Sequence, residues 1–190
     1  MRYLSNAIAG AAGMMILFGA LAAMPDTAHG RGRGPQDGPA LGAPAPDLGA
    51  CGDLHVDEGN RVAFSVYAEG VQIYRWSGTA WALLGPEATL YADASGNGVV
   101  GTHYAGPTWE SNSGSYVKGA NPLRCTPDPD SIQWLRLDVS ETGGNGIFDG
   151  VSRIQRVNTS GGKAPATPGA TIGEEARVPY TTDYYFYKIQ

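Results

Sequence analysis

Beyond residue 51, apolar side chains recur at every second position in short runs, and no stretch sustains the helical period. Residues 61–68 set Val62, Phe64 and Val66 on one face against Ala63, Ser65 and Tyr67 on the other, the pattern of a half-buried strand. Glu69-Gly70 reads as a tight turn, and residues 71–76 resume the alternation with Val71 and Ile73 against Gln72, Tyr74 and Trp76. Ser77-Gly78-Thr79 then turns into residues 80–84, so this spacing predicts three short strands in a meander. Gly85-Pro86 breaks the chain before another short strand over 88–92, and Asp93 to Gly98 reads as an Asn-Gly hairpin turn. That loop also spaces oxygen side chains like the start of a calcium loop. An EF-hand would need Glu where Tyr104 stands, and flanking helices.

The densest chemistry lies in residues 101–110, GTHYAGPTWE, where strand residues 99–104 enter a Gly106-Pro107 corner and Thr108, Trp109 and Glu110 leave it. Ser111 to Gly114 turns again, and residues 115–118 pair back. Three prolines around Cys125 predict an extended loop over 121–130. Residues 131–139 read as a strand after one helical turn at Asp130 and Ser131. Gly143-Gly144-Asn145-Gly146 is a turn rather than a nucleotide loop, because strand-like residues 151–158 follow it instead of a helix. A Pro/Gly-rich loop over 161–173 leads to the closing run 178–189, in which Tyr184 and Phe186 face one way and Asp183, Tyr185 and Tyr187 the other. The expected fold is all-β, a sandwich or closed barrel of about eight to ten short antiparallel strands, with little helix outside the N-terminal segment.

Residues 1–30 depart from this pattern. One Arg precedes an apolar run of Ala, Gly, Ile, Leu, Met and Phe over 7–23, and small-x-small cleavage sites follow, as in a secretory signal peptide; the alternative is a retained anchor helix. Residues 31–50 are Gly, Pro and Ala with Arg31 and Arg33, a flexible leader, so a single domain is expected over 51–190. The chain is accordingly expected to be secreted or periplasmic, monomeric, and without a membrane span once processed. Its formal charge of −5 and lack of a basic stripe argue against nucleic acid.

Cys51 and Cys125 are the only cysteines. For an exported chain a disulfide between them is the simplest expectation, with two buried thiols or a metal pair as alternatives. The mature chain keeps His55 and His103, but no close His pair marks a metal centre, and no metal or cofactor is expected. The ligand-binding candidates are His103, Trp109, Glu110, Tyr104 and Asp183. The Gly106-Pro107 corner suggests that His103 and Glu110 flank one cleft beside Trp109. Trp76, Trp81, Trp109 and the terminal tyrosines suit a carbohydrate or cell-envelope ligand if they offer flat faces, and fill the core otherwise. A binding or structural module is therefore the leading class, with a metal-dependent or carboxylate-based enzyme at His103 and Glu110 as the alternative. Catalytic residues are not assigned, because no nucleophile elbow occurs.

Five segments carry a family resemblance: GVQIYRW at 70–76, PEATLYAD at 86–93, GTHYAGPTWE with SGS at 113–115, IQRVNTSGGKAP at 154–165 and VPYTTDYYFY at 178–187. Together they resemble the secreted family catalogued as domain of unknown function 3455 (DUF3455). The resemblance implies an exported, mostly β domain whose activity is not established. Some members carry a malate dehydrogenase label, for which this chain lacks any nucleotide-binding unit. The chain also differs from many members in having Trp76 and Ala170 where cysteines are common, and Ser113 where Asp is common.

Overall fold

A computed structural model describes residues 39–190, so the signal-like segment and the leader through residue 38 lie outside the described residues. Strands β1 (Ala40–Leu41), β2 (Asn60–Trp76), β3 (Trp81–Tyr91), β4 (Val99–Tyr104), β5 (Thr108–Ser111), β6 (Tyr116–Cys125), β7 (Trp134–Gly143), β8 (Val151–Gly161) and β9 (Glu175–Ile189) form one antiparallel sheet in sequence order. Pairing of β9 with β2 closes the sheet into a ring. The expected all-β, antiparallel class is thus what forms, as one sheet closed in a ring. A 3₁₀ segment, Gly49–Leu54, is the one helical element among the described residues. No described helix is long and apolar enough to cross a membrane.

Two strands are much longer than expected. Glu69-Gly70 is not a turn: β2 runs through it for 17 residues, paired with β9 along nearly its whole length. Gly70 is there for close approach, since a Cβ on it would lie 2.2 Å from the Glu87 carbonyl oxygen and 2.4 Å from Ala88 Cα. Continuity preserves parity, so the even positions that begin inward as Phe64, Val66 and Ala68 continue inward as Gln72 and Tyr74. Val71 and Ile73, the expected apolar face, are only half-buried.

Gly85-Pro86 does not break β3 either. The register slips there, with Ile73 opposite Gly85 and Tyr74 opposite Leu83, so Leu84 is left over as a bulge. Gly85 takes φ 151°, and a Cβ on it would lie 2.7 Å from that of Ala105. In β6, Asn121 (φ 46°) and Pro122 loop out of register while pairing resumes at Leu123, so the strand reaches Cys125 and the proline loop starts only after it. Ahead of residue 51, Ala40 and Leu41 pair with Ser65 and Phe64, and Leu48 is buried.

The inside of the ring is apolar at one end. Phe64, Val66, Leu90, Val117, Ile154 and Phe186 pack around Phe148, which the β7–β8 connection inserts as a plug. Phe64 and Phe186 stack at 4.7 Å between centroids, and Phe148 meets Phe186 edge-on at 5.0 Å. Removing one such ring costs about 3–5 kcal/mol. A second cluster lies on the outer face of β8 and β9, where Leu48, Cys51 and Leu54 cover Val157 and Tyr185. A Cys51–Cys125 disulfide pins this cover to β6, and Gln155 Nε2 donates to the Leu54 carbonyl at 2.6 Å. A half-buried disulfide of this kind is consistent with an extracellular fold.

Candidate functional site

At the end opposite Phe148 the inward positions turn polar, and the ring opens into a cavity of about 830 Å³. Four connections reach this end: the β2–β3 hairpin, the Gly106-Pro107 corner, the β6–β7 loop and the β8–β9 loop. Strand parity supplies the walls. Gln72 and Tyr74 come from β2, His103 from β4, Trp109 from β5, Leu137 from β7, and Arg156 from the position two beyond inward Ile154 on β8. Leu83 and Leu84, exposed on the β3 bulge, form an apolar lip.

His103 and Trp109 face each other across β4 and β5 and form the base. Their rings stack with centroids 4.2 Å apart and planes 10° from parallel, and Tyr184 meets both rings edge-on at 5.2 Å. The only hydrogen bond to the imidazole among the described residues joins Nδ1 to the Thr108 carbonyl at 2.8 Å. A carbonyl can only accept, so Nδ1 carries the proton and Nε2 keeps a free lone pair. Burial drives the His103 pKa down to about 3, against the Thr108 bond and with help from the Arg156 charge. The ring is neutral at any ordinary pH.

Several donors around this base lack partners. Gln72 Nε2, Trp109 Nε1, Tyr180 Oη and Tyr184 Oη are all buried without a hydrogen bond. Trp109, Tyr180 and Arg156 approach Tyr184 Oη closely enough to influence its proton, yet none meets hydrogen-bond geometry, and burial raises the Tyr184 pKa. Leaving buried polar atoms unpaired costs roughly 1–3 kcal/mol each. The upper wall is held by main-chain contacts. Tyr74 Oη donates to the Gly162 carbonyl at 2.7 Å, and Thr159 Oγ1 donates to the Ile132 carbonyl at 2.6 Å.

The predicted site residues divide between two faces. His103 and Trp109 point into the cavity, but Tyr104 and Glu110 lie on the outer face, where Tyr104 Oη donates to Glu110 Oε2 at 2.7 Å. Strand alternation imposes this split: with His103 opposite Trp109, Thr102 must lie opposite Glu110. The expected shared cleft for His103 and Glu110 does not match that arrangement. Asp183 is also off the cavity, accepting from Asn158 Nδ2 at 2.8 Å, with burial raising its pKa against that bond. His55 is exposed by the 3₁₀ cover, where its carbonyl accepts from Arg136. Among the described residues no group of three or more His, Cys, Asp or Glu is placed to hold a metal ion.

The aromatic faces considered for sugars are largely used internally. Trp76 and Trp81 tilt at 55° to each other, Trp81 Nε1 donates to the Thr167 carbonyl at 2.9 Å, and Gly169 lies against Trp76. Tyr180, Tyr184 and Tyr187 are buried. The residues that sequence reasoning missed are Gln72, Arg124, Arg156 and Lys163. None of them carried a local signal: the even positions of β8 include Ser152, Ile154, Arg156 and Asn158, which form no apolar stripe against which Arg156 would stand out.

Residues 57–188 match the family described as "Protein of unknown function (DUF3455)". The chain belongs to that family. The matched span runs from just before β2 almost to the end of β9, so it covers the whole closed ring and the cavity with it. No curated protein and no solved structure matches the chain. The family assignment therefore brings a fold-length relationship but no activity, and the chemistry of the cavity has to be read from its own walls.

Proposed function

We propose that this DUF3455 member is an exported ligand-binding module that takes a small molecule into the open end of its β ring. The observation that carries the reading is the 830 Å³ cavity with four unpaired buried donors at or beside its base. Its volume lies within the range of small-molecule sites, and the combination of apolar walls with a few convergent polar groups is the usual composition of such sites. Export rests on the signal-like N-terminal sequence together with the disulfide. A carboxylate-based enzyme at this cavity would lack its acid and base, because no Asp or Glu lines it. Of the sequence candidates, the proposal gives ligand contact to His103 and Trp109.

The test is uptake of an uncharged aromatic probe, N-phenyl-1-naphthylamine, followed by its fluorescence. The expected result is saturable binding at one probe per chain that is lost in Ala164→Trp, which sets an indole on the exposed rim of the mouth. Uptake indifferent to Ala164→Trp overturns the reading, as does failure to take up both this probe and an anionic probe with the same aromatic body.

A further inference from the structure

The charged side chains that line the cavity are all basic. Arg124 on β6, Arg156 on β8 and Lys163 on the β8–β9 loop all line the cavity, whereas its lining contains no Asp or Glu. The chain as a whole has 18 acidic against 13 basic residues, so an all-basic lining runs against its composition. None of the three has a carboxylate within ion-pair reach among the described residues, although Arg75, Lys118, Arg136, Arg153 and Arg177 each do. Lys163 Nζ donates to the Pro129 carbonyl and Arg124 Nη1 to the Pro122 carbonyl, which orients both side chains, and Lys163 lies near enough to the Asp128 carboxyl to help lower its pKa.

Arg156 is the central group. Its Nε and Nη2 donate to the Gln133 carbonyl at 3.1 and 2.8 Å, which fixes the plane of the guanidinium. Nη1 and the second Nη2 proton keep no acceptor among the described residues, leaving the part of the fork that a carboxylate or sulfonate engages. Its charge reaches well into the cavity, since it helps to lower the His103 pKa and opposes the rise in those of Tyr74, Tyr180 and Tyr184. Arg156 is half-buried at an inward strand position and lines the same cavity as Gln72 and Trp109, whose Nε2 and Nε1 lack partners. Leu83, Leu84 and Leu137 supply apolar wall on the same cavity.

We infer that the ligand is a small organic anion, its acidic head on Arg156 with Lys163 and Arg124 at the rim, and its apolar body against the leucines. This inference rests on the ligand-binding reading above and adds the sign of the ligand. The test compares two probes with the same aromatic body, 8-anilinonaphthalene-1-sulfonate and uncharged N-phenyl-1-naphthylamine, on the full chain after export. The sulfonate is expected to bind at least about tenfold more weakly to Arg156→Gln than to wild type, while Arg156→Lys recovers part of the loss and the neutral probe changes less than about twofold. Raising salt from about 0.05 to 0.5 M is expected to weaken the sulfonate several-fold and leave the neutral probe unaffected.

Uptake of both probes with equal affinity, or a sulfonate affinity indifferent to Arg156→Gln and to salt, overturns the anionic ligand and leaves the binding module standing. Failure of both probes to bind overturns the binding module itself. If Arg156→Gln does not fold by circular dichroism, Lys163→Gln and the salt series on wild type decide by the same criterion.

Discussion

His103 stacks on Trp109 at 4.2 Å and spends its one ring proton on the Thr108 carbonyl at 2.8 Å, so the base of the cavity holds a neutral imidazole. This has a consequence for stability against pH. The folded-state pKa of about 3 lies below the ordinary value of 6.5, so above pH 6.5 both folded and unfolded chains carry a neutral ring and no penalty exists. As pH falls below 6.5 the unfolded chain takes up a proton that the folded chain refuses, and stability is lost progressively toward pH 3. By pH 5 the loss is about 2 kcal/mol. Urea unfolding at pH 7.5, 6.5 and 5 should show that slope in wild type, and His103→Phe should be flatter across the same range by that amount. Equal slopes would mean that the imidazole protonates in the folded state.

Gly70 sits where β2 passes β3 so closely that a Cβ would fall 2.2 Å from a backbone oxygen and 2.4 Å from a backbone carbon. Backbone held in two ladders has little room to retreat. Gly70→Ala is expected to lose about 2 kcal/mol or more in chemical denaturation, at the level of an overpacked core. A change under about 0.5 kcal/mol, the usual size for a surface site, would show that the strands separate without strain.

Strand content and the sign of local alternation were readable because a half-buried strand writes its period into the chain. The continuity of β2 through Glu69-Gly70 was not, since the same dipeptide serves a turn or a close approach, and only the partner strand at Glu87 and Ala88 distinguishes them. That one ambiguity reversed the inward face beyond residue 70 and hid Gln72 and Tyr74. The stretch around His103 and Trp109 was legible as the chemical centre, and pairing of those two residues follows from the corner between them. Arg156, Arg124 and Lys163 come from three separate strands and loops, and nothing local in the sequence says that ring closure gathers them at one mouth.

The bond from Cys51 to Cys125 spans 74 residues and ties the 3₁₀ cover to the end of β6. Closing a loop of that length removes roughly 4 kcal/mol of unfolded-chain entropy in the loop-closure model. The double variant Cys51→Ala with Cys125→Ala should lose stability of that order and expose the outer cluster of Leu48, Leu54 and Val157, which faster amide exchange over 48–54 would report. Unchanged stability and exchange would mean that packing alone holds the cover.

Glu110 provides the last test, because it separates the two faces of the central hairpin. Its Oε2 accepts from the exposed Tyr104 phenol at 2.7 Å on the outer face, and that bond is the leading cause of the raised Tyr104 pKa. Glu110→Gln keeps an acceptor oxygen and removes the charge, so the Tyr104 phenol should ionise at a lower pH than in wild type by spectrophotometric titration. Stability should change by no more than about 0.5 kcal/mol, as for most surface substitutions. Uptake of the neutral aromatic probe should remain within about twofold of wild type, because a ligand on the inner face touches neither partner of this bond. If Glu110→Gln instead abolished probe uptake at an unchanged melting temperature, binding would lie on the outer face with Tyr104, and the inner cavity based on His103 and Trp109 would lose its claim to the ligand.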